Sequence, residues 1–204
     1  MEDTHEDGVG KDMTAHLVWE TEGRELAWKG PIFDVYHVKR HSSDGRCSSF
    51  IEVAAPEWVT MLPWYRDEKG VPHFVMVEQF RHGSGTVTRE FPAGVVEKNE
   101  SPEAAARREL REETGIDVMT VSLLGRVNPN AAFMNNYSNF FLMEGFEGKV
   151  VPQQLDMNEQ IDIISVPVSD VVRDMGNSLY GNGIMMMALG FFLRATFHRP
   201  GLLS

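Results

Sequence analysis

Three glutamates, Glu109, Glu112 and Glu113, lie close together in the most highly charged stretch of the chain. That stretch, residues 94–116, carries six acidic and four basic side chains. On a helix, Glu109 and Glu113 would lie about 40° apart around the axis, with Glu112 about 60° to the other side of Glu109. The three carboxylates would then share one face, where like charges destabilise the helix unless something neutralises them.

A divalent cation would neutralise such a cluster, and oxygen-rich sites suit Mg²⁺ or Mn²⁺. Glutamate- and arginine-rich surface helices are also common, and Arg107, Arg108 and Arg111 would relieve part of the repulsion. The three glutamates alone therefore leave both a metal site and a solvated helix face open.

A helix over residues 102–114 is predicted to position these glutamates. Ser101 is a favourable N-cap and Pro102 suits the first helical position. Strong helix formers follow, and Gly115 stands where a glycine commonly ends a helix.

Strands are predicted on both sides of this helix. Apolar residues tend to alternate between His16 and Val53, with a hairpin turn at residues 42–45, which predicts antiparallel strands. The order β-rich, helix, β-rich, helix predicts an α/β fold in which helices sandwich a mixed sheet. Further strands are predicted over residues 57–65, 73–80, 118–127, 139–144 and 161–168, and further helices over 169–176 and 183–197.

Composition limits the classes of function. The formal net charge of −11 over 204 residues disfavours general nucleic-acid binding, which needs a basic surface. A single cysteine, Cys47, cannot form an intramolecular disulfide, which indicates a reducing, cytoplasmic environment. Residues 1–14 lack a signal-peptide pattern and are expected to form a flexible acidic tail. The longest apolar run, residues 183–192, is too short to span a bilayer, so no membrane association is expected.

The spacing around the glutamates identifies a family. Gly94 is followed after five residues by Glu100 and, after seven more, by the nine-residue run from Arg108 to Ile116, "RELREETGI". This pattern matches every fixed position of the Nudix box, so the chain resembles the Nudix hydrolase superfamily. The segments "VEQFRHG", "EFPAG", "NPNAAFMNN" and "NEQIDIISVPVSDV" resemble its ADP-ribose pyrophosphatase and nucleoside diphosphate sugar branch.

The resemblance implies a Nudix fold, which is an α/β/α sandwich with a mixed sheet, preceded here by an N-terminal antiparallel strand region. We expect residues 15–55 to form that strand-rich region and to serve as a dimerisation element of a homodimer. Residues 56–204 are expected to form the Nudix hydrolase domain, with the box at 94–116.

The resemblance also implies roles for the clustered glutamates. Glu109 and Glu113 would be the principal Mg²⁺ ligands, with Glu112 contributing directly or through water. The backbone carbonyl of Ala93 would be a further ligand, and Glu112 and Glu113 would also count among the catalytic residues.

Residues outside the box complete the expected site. Glu159 matches the position of the general base in this branch, with Asp156 and Asp162 as alternatives. Arg81 would clamp a phosphate or the terminal ribose, and Glu90 would accept hydrogen bonds from a sugar hydroxyl. Arg81 and Glu90 could equally form a salt bridge between adjacent strands.

Glu100 and Arg108 are expected to pair and hold the loop of the box against its helix.

The expected activity is metal-dependent hydrolysis of a nucleoside diphosphate linked to another moiety, such as ADP-ribose or an ADP- or GDP-sugar. The products would be a nucleoside monophosphate and a phospho-sugar. Pro129 lies closer to the box than the proline typical of this branch, which leaves other nucleoside diphosphate derivatives open. The alternatives are a non-catalytic Nudix module that senses a ligand, or hydrolysis of a nucleoside triphosphate, a dinucleotide or a coenzyme A derivative.

Overall fold

The computed structural model describes residues 14–155, 157 and 159–203. These residues separate into two compact units, each described here by itself. The first unit comprises the described residues up to Ala55 together with Asn130–Asn135. The second comprises Pro56–Pro129 and the described residues from Asn136 onwards. Apart from Thr14, the acidic tail predicted over residues 1–14 lies outside the described residues.

The first unit is built on a three-stranded antiparallel sheet in the order β1-β2-β3. The turn between β2 and β3 is closed by the N–H of Gly45, which donates to the carbonyl of Ser42 at 3.0 Å. Gly45 has a positive φ of 87°, which suits glycine. The antiparallel strands predicted for this region are confirmed. The strands are β1 (Trp19–Lys29), β2 (Asp34–Ser42) and β3 (Cys47–Ala54), and a 3-10 helix spans Ala15–Leu17.

The second unit contains seven strands and three α-helices. Its strands are β4 (Trp58–Arg66), β5 (Pro72–Arg81), β6 (Thr86–Glu90), β7 (Ala93–Val95), β8 (Asp117–Val127), β9 (Ser138–Glu147) and β10 (Ile161–Pro167). Its helices are α1 (Pro102–Thr114), α2 (Val168–Asp174) and α3 (Gly183–Thr196), with 3-10 helices at Ser178–Tyr180 and Pro200–Leu202. No helix in the described part of the chain is long and apolar enough to cross a bilayer.

The seven strands form one mixed sheet. Its main order is β10-β5-β4-β9-β8, while β6 pairs with β5 and β7 pairs with β4. Strands β4 and β9 run parallel, and the other pairs are antiparallel. The predicted mixed sheet is therefore confirmed.

Two cores lie on opposite faces of this sheet because successive side chains of a strand point in opposite directions. Leu62 of β4 belongs to the core that includes Phe192 of α3. Its neighbour Met61 belongs to the core that includes Leu110 of α1. Helices thus cover both faces of the sheet, which confirms the predicted α/β/α sandwich.

Helix α1 begins and ends at the residues that its local sequence indicates. The Ser101 hydroxyl oxygen accepts a hydrogen bond from the N–H of Ala104 at 3.2 Å, and Pro102 is the first helical residue. At the other end, Gly115 adopts a left-handed conformation with φ of 70°, and its N–H donates to the carbonyl of Arg111 at 2.8 Å. These caps fix which residues occupy the last two turns, where Glu109 and Glu113 lie.

Candidate active site

Glu113 lies in the last turn of α1 and is almost completely buried, with 4% of its surface exposed. Its Oε2 accepts a hydrogen bond from the backbone N–H of Ala93 at 3.1 Å. Burial raises the pKa of Glu113 to about 8, and the nearby charge of Glu109 adds to that rise. Near neutral pH this carboxyl therefore holds a proton unless positive charge is supplied beside it.

Glu109 lies one turn earlier on α1 and reaches the same short strand, β7. Its Oε1 accepts a hydrogen bond from the N–H of Val95 at 3.2 Å, and burial raises its pKa. Gly94 leaves the space for this side chain, since a Cβ at that position would collide with Cδ of Glu109. The glycine of the box therefore allows a carboxylate to lie directly against the backbone of β7.

Arg108 holds the remaining glutamates of the box. Its guanidinium makes two hydrogen bonds to Glu100, from Nε to Oε1 and from Nη2 to Oε2, each of 3.0 Å. Nη2 also donates to the carbonyl of Val95 at 3.0 Å, which ties the loop of the box to α1. Nη1 donates to Glu109 at 2.9 Å and to the partly exposed Glu112 at 3.0 Å. The expected pairing of Glu100 with Arg108 is present.

The donor set around β7 suits a hard divalent cation. It consists of the carboxylates of Glu109, Glu112 and Glu113 and the nearby backbone carbonyl of Ala93, all oxygen ligands. Within the described residues, no three acidic, histidine or cysteine side chains converge as a preassembled ligand set. The carboxylate oxygens are instead engaged by Arg108 and by N–H groups of β7. Burial and the charge of Glu109 raise the pKa of Glu113, so the ionised form of this carboxyl is unfavourable without a counter-charge.

Glu159, the expected general base, interacts electrostatically with both Glu113 and Arg81. The segment before it contacts the end of α1, since the N–H of Gln154 donates to the carbonyl of Glu112 at 2.8 Å and the N–H of Val151 donates to that of Gly115 at 2.9 Å. Of the alternatives, Asp162 is exposed on β10, and Asp156 lies outside the described residues.

Arg81 and Glu90 form a two-bonded ion pair between β5 and β6. Arg81 Nε donates to Glu90 Oε1 at 2.9 Å, and Nη2 donates to Oε2 at 2.7 Å. Burial would raise the pKa of Glu90, but the bonds from Arg81 and from the Thr88 hydroxyl bring it below its ordinary value. The charges of Glu113 and Glu159 act on Arg81 as well, and like that of Glu90 they raise the pKa of Arg81.

Asn182 is a further polar residue of this region that the sequence analysis did not identify. It caps α3, since its Oδ1 accepts hydrogen bonds from the N–H groups of Ile184 at 2.8 Å and Met185 at 3.4 Å. Its side chain also lowers the pKa of Glu90, after the larger contributions of Arg81 and Thr88. An asparagine before an apolar helical run is a recognisable N-cap signal. The interaction with Glu90 has no local signal, because the two residues are far apart in the sequence.

A cavity of about 260 Å³ opens beside these groups within the second unit. Its polar lining includes the ion pair and the cap of α3, and its apolar lining comes from β4, β7 and α3. The cavity therefore combines the guanidinium of Arg81, hydrogen-bonding groups and the ring of Trp58. It lies next to β7, the strand whose N–H groups donate to the carboxylates of the box. The lining residues are Trp58, Thr60, Arg81, Glu90, Phe91, Ala93, Gly94, Val95, Asn182, Ile184 and Met185.

Known proteins resemble this chain in both sequence and fold. The chain is 28% identical to an ADP-ribose pyrophosphatase of Bacillus subtilis (strain 168) over 154 residues, which cover 76% of this chain and 81% of that protein. It is 36% identical to an ADP-sugar pyrophosphatase of Mus musculus over 102 residues, 48% of this chain and 47% of that protein. A GDP-mannose pyrophosphatase of Yersinia pestis is 27% identical over 140 residues, which cover 65% of this chain and 68% of that protein.

A solved structure described as an ADP compounds hydrolase has the same fold. It superposes with a TM-score of 0.75 at 18% identity, covering 89% of this chain and 95% of that chain. The family model described as the NUDIX domain matches residues 57–183, which span β4 to the start of α3 and include the box. Because that match covers more than half of the chain, the protein belongs to the Nudix family and is a Nudix hydrolase related to the ADP-ribose and ADP-sugar pyrophosphatases.

Proposed function

We propose that this Nudix hydrolase is a divalent-metal-dependent pyrophosphohydrolase that cleaves a nucleoside diphosphate linked to a sugar. The proposed substrates are ADP-ribose or an ADP- or GDP-sugar, and the products are a nucleoside monophosphate and a phospho-sugar. One observation carries the proposal: the carboxylates of the buried Glu113 and the half-buried Glu109 are held against β7, the strand that borders the cavity containing Arg81.

The box residues are proposed to bind the cation. Glu109, Glu112, Glu113 and the carbonyl of Ala93 would hold Mg²⁺ or Mn²⁺. When bound, such a cation supplies charge neutralisation and Lewis acidity at a diphosphate. Arg108 would then keep Glu109 and Glu112 oriented from the outer side, as it does through its two Nη1 contacts.

Arg81 is proposed to bind the diphosphate. Its bonds to Glu90 use Nε and Nη2, which fixes the plane of the guanidinium and leaves further N–H donors on the same group. Arginine N–H groups make charge-assisted hydrogen bonds to phosphate oxygens. In this arrangement Glu90 orients Arg81, and its carboxylate would also accept a hydrogen bond from a sugar hydroxyl of the substrate.

Glu159 is proposed to act as the general base, since its charge interacts with that of Glu113. Water attacks one phosphorus of the diphosphate, and the bridging P–O bond breaks. The proton of the attacking water passes to the Glu159 carboxylate, and the bridging oxygen leaves with the other phosphate.

The relatives support the class of substrate. Three of the proteins that the chain resembles are named for hydrolysis of ADP-ribose, ADP-sugars or GDP-mannose.

We also infer that the protein forms a homodimer through residues 15–55. A reducing, cytoplasmic location is inferred from its single cysteine, Cys47, which is free.

A substrate panel tests the proposal. The purified protein is assayed with Mg²⁺, with Mn²⁺ and with EDTA against ADP-ribose, ADP-glucose, GDP-mannose, nucleoside triphosphates, dinucleotides and coenzyme A. We expect metal-dependent release of a nucleoside monophosphate, with the highest kcat/KM on a diphosphate sugar. A higher kcat/KM on a triphosphate, dinucleotide or coenzyme A, or turnover that persists in EDTA, would contradict the proposal.

A further inference from the structure

A side chain from outside the helix satisfies one of the last carbonyls of α1. An α-helix leaves the carbonyls of its final turn without partners inside the helix. The carbonyls of Glu112 and Gly115 accept bonds from backbone N–H groups of segment 151–154. The carbonyl of Glu113 instead accepts a hydrogen bond from the side-chain amide of Gln153, with Nε2 at 2.6 Å. Gln153 therefore fixes the backbone of the residue that carries the buried carboxyl group.

The same amide nitrogen has a second acceptor in another element. Nε2 of Gln153 also donates to the carbonyl of Ile161 at 3.3 Å. An amide NH₂ group carries two hydrogens, so it can make both bonds at once. Ile161 is the first residue of β10 and pairs with Gln79 of β5. The half-buried side chain of Gln153 thus ties the end of α1 to the start of β10.

The two acceptors of Gln153 are close in the chain to the two groups that must cooperate in the reaction. One is the carbonyl of Glu113 itself, and the other lies two residues after Glu159. The charge of Glu159 raises the pKa of Glu113, so the two carboxyl groups are within electrostatic reach of each other. A displacement of about 1 Å at a reacting group can lower a rate by about two orders of magnitude. A bond that fixes both backbones can therefore control the rate.

We propose that Gln153 is a positioning residue, whose amide joins the carbonyls of Glu113 and Ile161 and thereby holds Glu159 in place relative to the carboxylates of the box. Gln153 is not among the described residues that line the cavity, so its effect passes through Glu159 and not through contact with the substrate. The inference rests on the proposed function, because it presupposes that Glu159 is the general base of metal-dependent hydrolysis.

The test uses Gln153→Met, which keeps an unbranched side chain of similar length and removes both donors. The kcat and KM for ADP-ribose are measured with Mg²⁺, and the affinity for Mn²⁺ is measured by paramagnetic resonance. We expect kcat to fall by at least about tenfold, as misplacement of a catalytic group predicts. KM and Mn²⁺ affinity should stay within about twofold of the wild type, since the substrate and metal groups are unchanged.

A double-mutant cycle separates positioning from a general loss of structure. Gln153→Met is also made in the Glu159→Gln background, where no carboxylate remains for Gln153 to position. There it should change kcat by less than about twofold, because the two residues act as one unit. An effect on the fold alone would instead lower kcat by the same factor in both backgrounds.

Gln154→Met is the matched control. It makes the same substitution at the next residue, whose side chain is exposed and whose bond to the Glu112 carbonyl comes from the backbone N–H. Its kinetics should match the wild type. The melting curves of both variants establish that they are folded under the assay conditions.

Three results would overturn the inference. An unchanged kcat in Gln153→Met, with Glu159→Gln impaired, rejects the inference alone. Equal losses in the two backgrounds, or a loss confined to KM, would show that Gln153 does not act through Glu159. If the wild type hydrolyses no diphosphate sugar, or if Glu159→Gln retains full turnover, the proposed function or its general base fails first, and this inference fails with it.

Discussion

Glu113 is the residue on which the chemistry of this site depends most. It is held in place by a backbone N–H of β7 yet buried where a negative charge is unfavourable. A side chain placed in this way destabilises the metal-free protein when it is ionised, and that cost is removed when a cation binds. The same burial therefore links stability, pH and metal binding at one carboxyl group.

This linkage predicts how the stability of the metal-free protein depends on pH. The pKa of Glu113 in the folded protein, about 8, is above its ordinary value of 4.5, so the folded state binds this proton more tightly than the unfolded state. The free energy of unfolding should therefore fall as pH rises from about 5 to 8, by up to a few kcal/mol from this group. Urea unfolding of the metal-free wild type and of Glu113→Gln at several pH values measures the difference, since the variant lacks the titrating group.

Glu103→Gln is the matched control for this experiment. Glu103 lies on the same helix, but its side chain is 56% exposed and pairs with Arg107. This variant should retain the pH dependence of the wild type. The account would be contradicted if the free energy of unfolding of wild type and of Glu113→Gln changed by the same amount between pH 5 and 8.

Glu159 gives a second prediction at the residue scale. If it is the general base, Glu159→Gln should lower kcat by roughly two or more orders of magnitude while metal affinity stays close to that of the wild type. Asp162→Asn, on β10, should have little effect. Steady-state kinetics on ADP-ribose compares the two, and near-wild-type turnover of Glu159→Gln would move the proton transfer to another group.

At the scale of elements, three pieces of backbone meet at the site. The end of α1 supplies the carboxylates, β7 supplies the N–H groups that receive them, and the start of α3 supplies Asn182 beside Glu90. Asn182 has two separable functions, since its Oδ1 caps the helix while the same side chain lowers the pKa of Glu90.

Asn182→Ser separates these functions. Serine is also a good N-cap, so the thermal midpoint should change little. Its shorter side chain should not reach Glu90, which frees Glu90 and Arg81 to move, and KM for ADP-ribose should rise about three- to tenfold with a smaller change in kcat. Asn182→Ala removes both functions and should lower the thermal midpoint as well. An unchanged KM in both variants would show that Asn182 has no influence on Arg81.

The sequence predicts those parts of the elements that depend on local signals. The bounds of α1 follow from Ser101, Pro102 and Gly115, and all three act as caps in the structure. The bonds of Arg108 to Glu109 and Glu112 and the interaction of Asn182 with Glu90 depend on side-chain placement and long-range folding. Neither leaves a periodic or capping pattern in the chain, so sequence reasoning does not reach them.

At the scale of the whole molecule, the chain is acidic and its expected substrate is an anion. The formal net charge is −11, and three of the acidic residues that contribute to it, Glu109, Glu112 and Glu113, lie in the candidate site. Arg81 is the arginine that lines the cavity among the described residues, and it is already paired with Glu90. A diphosphate in this cavity therefore needs additional positive charge, which is the electrostatic reason for proposing a divalent cation.

The predicted homodimer also belongs to this scale. The three-stranded sheet of the first unit has edge strands, and β1 carries the exposed apolar side chains of Leu26 and Trp28. Exposed edges and apolar surface of this kind are commonly covered by a partner. Light scattering at micromolar concentration should give a mass of about twice the 23.0 kDa of one chain. A mass of one chain would contradict the prediction.

Binding of Mn²⁺ tests most directly whether the glutamates of the box hold a divalent cation, because the measurement does not depend on turnover. Paramagnetic resonance of free Mn²⁺ is followed as wild type, Glu113→Gln, Glu109→Gln and the control Glu103→Gln are added. The account predicts that wild type and Glu103→Gln bind Mn²⁺ with similar affinity and that affinity falls by at least about tenfold in the other two variants. Equal binding by all four proteins would show that Glu109 and Glu113 do not hold the metal.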